Sequence, residues 1–201
     1  MIVIVDYGMG NLRSVQKAVE HLGYQALVTS SAQDIISAEK VILPGVGAFG
    51  DAMAELEKRG LKEALIECIN KGTYFLGICL GIQLLFEKSE ESPGVDGLSI
   101  FKGTVLRFTG DMKIPHMGWN QIRKTQKECP LLENIPDNEY MYFVHSYYVQ
   151  SEQKEVVCCE TSYGNDFTSM IWKDNVFATQ FHPEKSQEKG LAMLKSFCEL
   201  K

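Results

Sequence analysis

Cys79 stands between two glycines in Gly77-Ile78-Cys79-Leu80-Gly81, a G-x-C-x-G string where an apolar run meets a helical pattern. A nucleophile carried on so sharp a strand-to-helix turn needs small neighbours, because the turn leaves no room for side chains beside it. The turn would lift the thiol clear of the sheet and set it at a helix N-terminus, where amides and dipole favour thiolate. A buried core cysteine is the competing reading for any thiol in an apolar run, and the flanking glycines weigh against it.

A cysteine nucleophile needs a base, and the candidates are His21, His116, His145 and His182. His21 falls late in an amphipathic pattern, on its solvated side or as a C-terminal cap. His145 lies among alternating aromatics, which reads as a structural position. His182, in Gln180-Phe181-His182-Pro183-Glu184, follows a β-rich run, and Pro183 pushes it toward extended backbone. Side chains two apart in extended chain point the same way, so Glu184 is placed to orient the imidazole and stabilise its charged form. Cys79, His182 and Glu184 then form a nucleophile, a base and its orienting acid. A surface turn with incidental charges is the alternative for the His182 segment taken alone.

Pro44-Gly45-Val46-Gly47-Ala48-Phe49-Gly50 satisfies G-x-G-x-x-G. A dinucleotide site is discounted, because the string follows the third strand and the acids about 20 residues on, Glu63 and Glu67, fall within a helical pattern. Free amides of this corner, at Val46 and Gly47, together with that of Leu80, suit an oxyanion instead; a simple turn is the plainer alternative.

The elements that must carry these residues alternate in the first half. Ile2–Val5, Ala26–Thr29, Lys40–Leu43 and Tyr74–Ile78 read as buried strands. Helical patterns follow Asn11 (a candidate N-cap) with Leu12, Val15, Val19 and Leu22, then run through Leu61, Ala64, Leu65, Cys68 and Ile69, and from Leu80 to Phe86; Gly23 and Gly72 close the first two. Such alternation predicts a parallel sheet flanked by helices. The second half is β-rich: Ser99–Phe108, Tyr140–Val149, Glu155–Thr161, Phe167–Trp172 and Val176–Gln180, with tight turns that predict antiparallel pairing. A last helix over Glu188–Leu200 presents Leu191, Leu194 and Cys198. The prediction is one α/β domain over residues 1–201, with a largely parallel central sheet and added antiparallel strands in the C-terminal half.

The chain has 201 residues, 45% of them hydrophobic and 23% charged, the composition of an ordinary globular domain. A net charge of −6 argues against nucleic acid as a partner. The N-terminus lacks the basic region of a signal peptide, and no apolar run reaches the ~18 residues of a spanning helix, so no membrane partner is expected. Six scattered cysteines without a CxxC pair suggest reduced thiols in the cytoplasm, with no metal and no cofactor.

The elbow, the His182-Pro183-Glu184 triplet and the Pro44–Gly47 corner resemble class I glutamine amidotransferases, whose fold is flavodoxin-like. Three more segments, Asp6-Tyr7-Gly8-Met9-Gly10-Asn11, Pro115-His116-Met117-Gly118-Trp119-Asn120 and Tyr142-Phe143-Val144-His145-Ser146-Tyr147, are similar to the glutaminase subunits of imidazole glycerol phosphate synthase. The likeness runs end to end and departs at Ile82, where the family often has methionine.

The resemblance implies hydrolysis of L-glutamine to glutamate and ammonia by a Cys79-His182-Glu184 triad, with Val46, Gly47 and Leu80 at the oxyanion. It implies substrate contacts from Gly45, Gln83, Ser146 and Tyr147; for Gln83 the alternative is a satisfied core amide. It further implies a heterodimer with a β/α-barrel cyclase that uses the ammonia to make imidazole glycerol phosphate and AICAR in histidine biosynthesis. Asn11, Trp119 and Lys185 are its interface or ammonia-passage candidates, against plain readings as a helix cap, a core indole and a surface lysine. A chain this short is not expected to hold the acceptor enzyme as well. Three alternatives remain open at this point: a paralogous glutaminase serving sugar or lipopolysaccharide amidation, a γ-glutamyl hydrolase, and a flavodoxin-like binding module.

Overall fold

The computed structural model describes residues 1–126 and 128–201. In the first half β1 (Ile2–Val5), β2 (Ala26–Thr29), β3 (Lys40–Gly45) and β4 (Tyr74–Cys79) alternate with α1 (Leu12–His21), α2 (Ala32–Ser37), α3 (Phe49–Lys58), α4 (Leu61–Asn70) and α5 (Leu80–Leu84). The second half holds β5 (Lys88–Ser89), β6 (Gly103–Arg107), β7 (His116–Lys124), β8 (Glu139–His145), β9 (Tyr147–Ser151), β10 (Val157–Tyr163), β11 (Asn165–Lys173), β12 (Val176–Thr179) and α6 (Gln187–Glu199). One mixed sheet runs β2-β1-β3-β4-β12-β11-β10-β7-β8, parallel from β2 through β12 and antiparallel beyond. β9 pairs with β11 and β6 as a branch.

The parallel strands are apolar on both faces because helices cover both. Val3, Val5, Val41 and Leu43 pack on one side with Ile35, Phe49, Leu56 and Leu65 from α2, α3 and α4. Ile2, Ile4, Ile42 and Ile78 pack on the other with Val15 and Val19 of α1 and Met193, Leu194 and Phe197 of α6. All the parallel strands end on one edge of the sheet, where sites of open α/β folds collect.

Several elements differ from the sequence prediction, each because of a distant contact. Tyr140–Val149 is not one strand. It breaks at Ser146, where the chain leaves β7 to join β6 and β11, and Ser146 O accepts from Phe108 N at 3.2 Å. Ser99–Phe108 begins its strand only at Gly103, since the amides of Leu98, Ile100 and Phe101 bond the carbonyls of Leu84 and Leu85 and close the end of α5. That helix is correspondingly five residues long, shorter than the Leu80–Phe86 pattern. Residues 154–156 form a 3-10 turn ahead of β10, and α2, α3 and β7 are elements the apolar pattern did not delimit. Asn11 precedes α1 without capping a backbone amide; its Oδ1 accepts from Ser14 Oγ at 2.9 Å. Cys158 and Cys159 are both buried on one side because the β10 register with β11 shifts there.

Candidate active site

Cys79 ends β4 with φ 57° and ψ −105°, a sparsely populated conformation for a side-chain-bearing residue. Strain of this kind costs about 1–3 kcal/mol and persists only where the surroundings enforce it. Here Gly81 enforces it, since a β-carbon at that position would overlap the Leu43 carbonyl oxygen of β3. The sulfur lies 3.8 Å from Val144 O and 3.8 Å from Gln180 Nε2. α5 spans little more than one turn beyond it, and the His182 imidazole lies opposite the thiol.

His182 leaves the end of β12, and its amide donates to Tyr142 O at 2.9 Å. Ser186 Oγ donates to His182 O at 2.6 Å and accepts from Tyr142 N at 3.0 Å, which fastens this loop to β8. Nδ1 lies 2.8 Å from Glu184 Oε1, and a carboxylate oxygen can only accept, so Nδ1 carries the proton. The i to i+2 meeting comes from a 3-10 turn over Pro183–Lys185, not from the extended path read from the sequence. Glu184 is wholly buried behind the ring. The buried Nε2 has no oxygen or nitrogen partner among the described residues, and it shares its surroundings with the Cys79 sulfur. Burial opposes a charge on His182, but Cys79 and Glu184 outweigh it and raise its pKa to about 10. An imidazolium is therefore the form present at neutral pH beside the sulfur, the pairing that activates a thiol nucleophile.

Both side chains face a cavity of about 300 Å³, walled also by Val46, Gly47, Leu80, Gln83, Ser146, Tyr147 and Lys185. The corner holds Gly47 at φ 98°, open to glycine, and the amides of Val46 and Gly47 donate to no acceptor among the described residues. Leu80 N, opening α5, has no intrahelical acceptor either. Gly45 is not among the residues that wall the cavity, and a β-carbon there would overlap the Tyr7 hydroxyl and the Leu80 side chain.

Residues 3–200 match the family model for class-I glutamine amidotransferases. The imidazole glycerol phosphate synthase subunit HisH of Syntrophotalea carbinolica is 51% identical, with all of both chains covered. That of Methanocaldococcus jannaschii is also 51% identical over all of both chains. The chain belongs to the class-I glutamine amidotransferases, in the HisH family. As a member it is a glutamine-hydrolysing enzyme component. Solved structures agree on the fold. A glutamine amidotransferase superposes with a TM-score of 0.77 at 17% identity, covering 99% of this chain and 98% of its own. The PurLQS structure from Thermotoga maritima gives 0.78 at 18% identity, covering 98% and 96%.

Among the cavity residues that sequence reasoning passed over, Glu91 is the carboxylate. Its Oε2 accepts from Phe49 N at 2.8 Å, at the start of α3, so the carboxylate is held at the cavity wall beside the Gly45–Ala48 corner. No local pattern marks it, because the contact joins residues 42 apart. Asn11 and Trp119 lie outside the cavity wall. Trp119 meets Tyr142 edge-on at 6.1 Å, and Lys185 Nζ is 5.9 Å from the same ring, so a Trp119–Tyr142–Lys185 row leads from the outer face to the cavity.

His145 is not a second base. Its Nδ1 donates to Tyr147 O at 2.7 Å, which leaves Nε2 to accept from His116 Nδ1 at 2.9 Å; Asn120 Nδ2 then donates to His116 Nε2 at 3.2 Å. Burial lowers His116 to about 4 and His145 to about 3. The unfolded chain protonates both near pH 6.5, whereas the native chain resists protonation until pH 4 or below. The contribution of these two rings to stability is thus complete above pH 6.5 and falls as acid is added through that window. Two-dimensional NMR should show the rings of His116 and His145 without titration above pH 5, and the urea midpoint should drop between pH 7 and pH 5. Ring shifts that titrate near pH 6.5 would contradict the neutral chain.

Proposed function

We propose that this chain hydrolyses L-glutamine through Cys79, His182 and Glu184, as the glutaminase subunit of an imidazole glycerol phosphate synthase in histidine biosynthesis, and that residues 1–201 form one amidotransferase domain. The observation that carries the residue assignment is the thiol and the Glu184-bound imidazole meeting on one cavity wall. The Cys79 thiolate attacks the carboxamide carbon, and the amides of Leu80 and of the Val46–Gly47 corner receive the oxyanion; each such donor is worth ~3 kcal/mol. His182 Nε2–H protonates the departing nitrogen and ammonia leaves. The now neutral imidazole takes a proton from water, whose oxygen attacks the thioester, and glutamate is released with the thiolate restored. Glu184 holds Nδ1–H throughout.

Glu91 suits the α-ammonium of the substrate, and Gln83 an N–H of it. The carbonyls of Ser146 and Tyr147 already accept from Phe108 N and from His145 and Gln83, which leaves their amides for the substrate carboxylate. Gly45 brings β3 close enough to support the corner on which the substrate rests.

Ammonia released to water at neutral pH becomes ammonium and is no longer a nucleophile, so the reading includes a β/α-barrel cyclase seated over the cavity mouth. Support for that surface comes from Met117, Trp119 and Tyr140, which are 60%, 47% and 52% exposed on β7 and β8 near the Lys185 row. Asn11 fits the rim of the same surface, because its neighbour Gly10 approaches Pro44 of the corner. Six unpaired cysteines fit the cytoplasm. Among the described residues no helix is long and apolar enough to cross a membrane, and no group of three or more His, Cys, Asp or Glu is arranged around a metal position.

The test is covalent labelling with a glutamine-analogue chloroketone, followed by peptide mass analysis. One modified cysteine at position 79, protected by glutamine, is the expected outcome. Labelling spread over other cysteines, or unaffected by glutamine, would overturn the assignment.

A further inference from the structure

The run Pro44-Gly45-Val46-Gly47-Ala48-Phe49-Gly50 contains no side chain that can accept a hydrogen bond. A helix that starts within it cannot cap itself, although its leading amides need acceptors. α3 does start there: Ala48 occupies the capping position with extended backbone, φ −87° and ψ 143°, and offers only a methyl group. The acceptors come from 42 residues along the chain. Glu91 Oε2 accepts from Phe49 N at 2.8 Å, and Ser92 Oγ accepts from Gly50 N at 2.9 Å. A β-carbon at Gly50 would fall 2.7 Å from that hydroxyl oxygen, so glycine keeps the approach open.

The segment that supplies these acceptors is itself fastened. Glu90 N donates to Val105 O of β6 at 2.9 Å, and Glu90 Oε2 accepts from Arg107 N at 2.9 Å. Ser92 N donates to Ser89 O at 3.2 Å, and Ser89 Oγ accepts from Glu91 N at 3.2 Å. Residues 89–92 are thus a bracket hung on β6 that grips two successive amides of α3. One acceptor would let the first turn pivot about a single hydrogen bond; two at consecutive amides fix its direction. Only Ala48 separates the gripped Phe49 amide from Gly47, whose φ of 98° gives the chain a glycine's freedom. The Val46 and Gly47 amides are therefore oriented from two ends, by the β3–β4 pairing that runs to Gly45 and by this bracket.

We propose that Glu91 and Ser92 are positioning residues for the reaction: as a borrowed cap they hold the start of α3, and through it the Val46–Gly47 corner, in the orientation the oxyanion needs. This rests on the glutaminase reading above, in which those amides receive the oxyanion. Ser92 is not among the residues that wall the cavity, so its part is separable from substrate contact.

The experiment uses the full chain assembled with its synthase partner. Ser92→Ala removes one acceptor and no substrate contact. Its kcat for glutamine should fall about fivefold, the rate equivalent of a lost helix cap, while KM stays within about twofold. Ser92→Thr and Ser92→Asp keep an acceptor, and at least one of them should restore kcat. The double variant Glu91→Ala/Ser92→Ala should lose about 100-fold in kcat at saturating glutamine, as for a lost oxyanion donor, with KM raised because Glu91 also walls the cavity. Alkylation of Cys79 by iodoacetamide is the control. There the sulfur displaces iodide from carbon and no oxyanion forms, so Ser92→Ala should be alkylated at the wild-type rate.

A cap that only stabilised the fold would lower the melting temperature and leave kcat per folded molecule alone. Unchanged kcat in Ser92→Ala, a fall in kcat matched by an equal fall in alkylation, or no recovery in either Ser92→Thr or Ser92→Asp overturns the proposal. If the double variant does not fold, the Ser92 series decides alone. Absence of glutamine turnover in the wild-type assembly would instead bring down the glutaminase reading, and this inference with it.

Discussion

Replacing Cys79 with alanine should lower glutamine hydrolysis by about 10⁴-fold or more, since no other group near the cavity can form the thioester. The same variant, assembled with its synthase partner, should still support synthesis from added ammonium salt at near wild-type rate. The two activities part because Cys79 acts only in producing ammonia, while the docking surface proposed on β7 and β8 has no side chain of the triad. Parallel assays with glutamine and with ammonium as nitrogen donor make the measurement. If both activities vanish, Cys79 supports the structure of the complex and the nucleophile assignment fails. Alanine at this position also relieves little of the local strain, because φ 57° is unfavourable for any residue with a β-carbon. The variant should therefore melt close to wild type, which keeps the activity comparison clean.

Gly81→Ala should unfold the chain or cost more than ~4 kcal/mol, a loss confined to a short list of severe causes. The added methyl would meet the Leu43 carbonyl oxygen, a backbone atom inside the β3–β4 ladder with no rotamer by which to move aside. Relief would require β3 and α5 to separate, and that displaces Cys79 and the Gly45–Ala48 corner together. Urea denaturation followed by far-UV circular dichroism gives the stability, and glutaminase turnover the second readout. A loss below ~1 kcal/mol, within the range of ordinary surface changes, would show that the elbow is not so tightly closed.

The amino-acid pattern carried the parallel half well, for a local reason. A strand covered on both faces is a continuous apolar run, and a flanking helix repeats its apolar positions every three or four residues; both signals are complete within a short window. Ile2–Val5, Ala26–Thr29 and the helix over Leu61–Asn70 are legible for that reason. The breaks were illegible because partners far along the chain impose them. Tyr140 to Val149 alternates without a flaw, yet pairing changes at Ser146, and the decision belongs to β6, β7 and β11. The helix after Cys79 keeps its apolar pattern to Phe86, while residues 98–101 return to end it two residues sooner.

The same division holds at the site. Residue type and spacing alone singled out Cys79 between its glycines, His182 with Glu184 two residues on, and the glycine corner, because the chemistry of a thiol, an imidazole and a carboxylate is intrinsic to the side chains. Tertiary structure alone decided that these groups share one cavity and that Glu91 joins them, held by an amide 42 residues before it. It also decided which way the amides of Gln83 and Gln180 face and that His145 remains neutral. Burial and hydrogen-bond direction are properties of what surrounds a group, and here those surroundings come from strands that meet only when the sheet is complete.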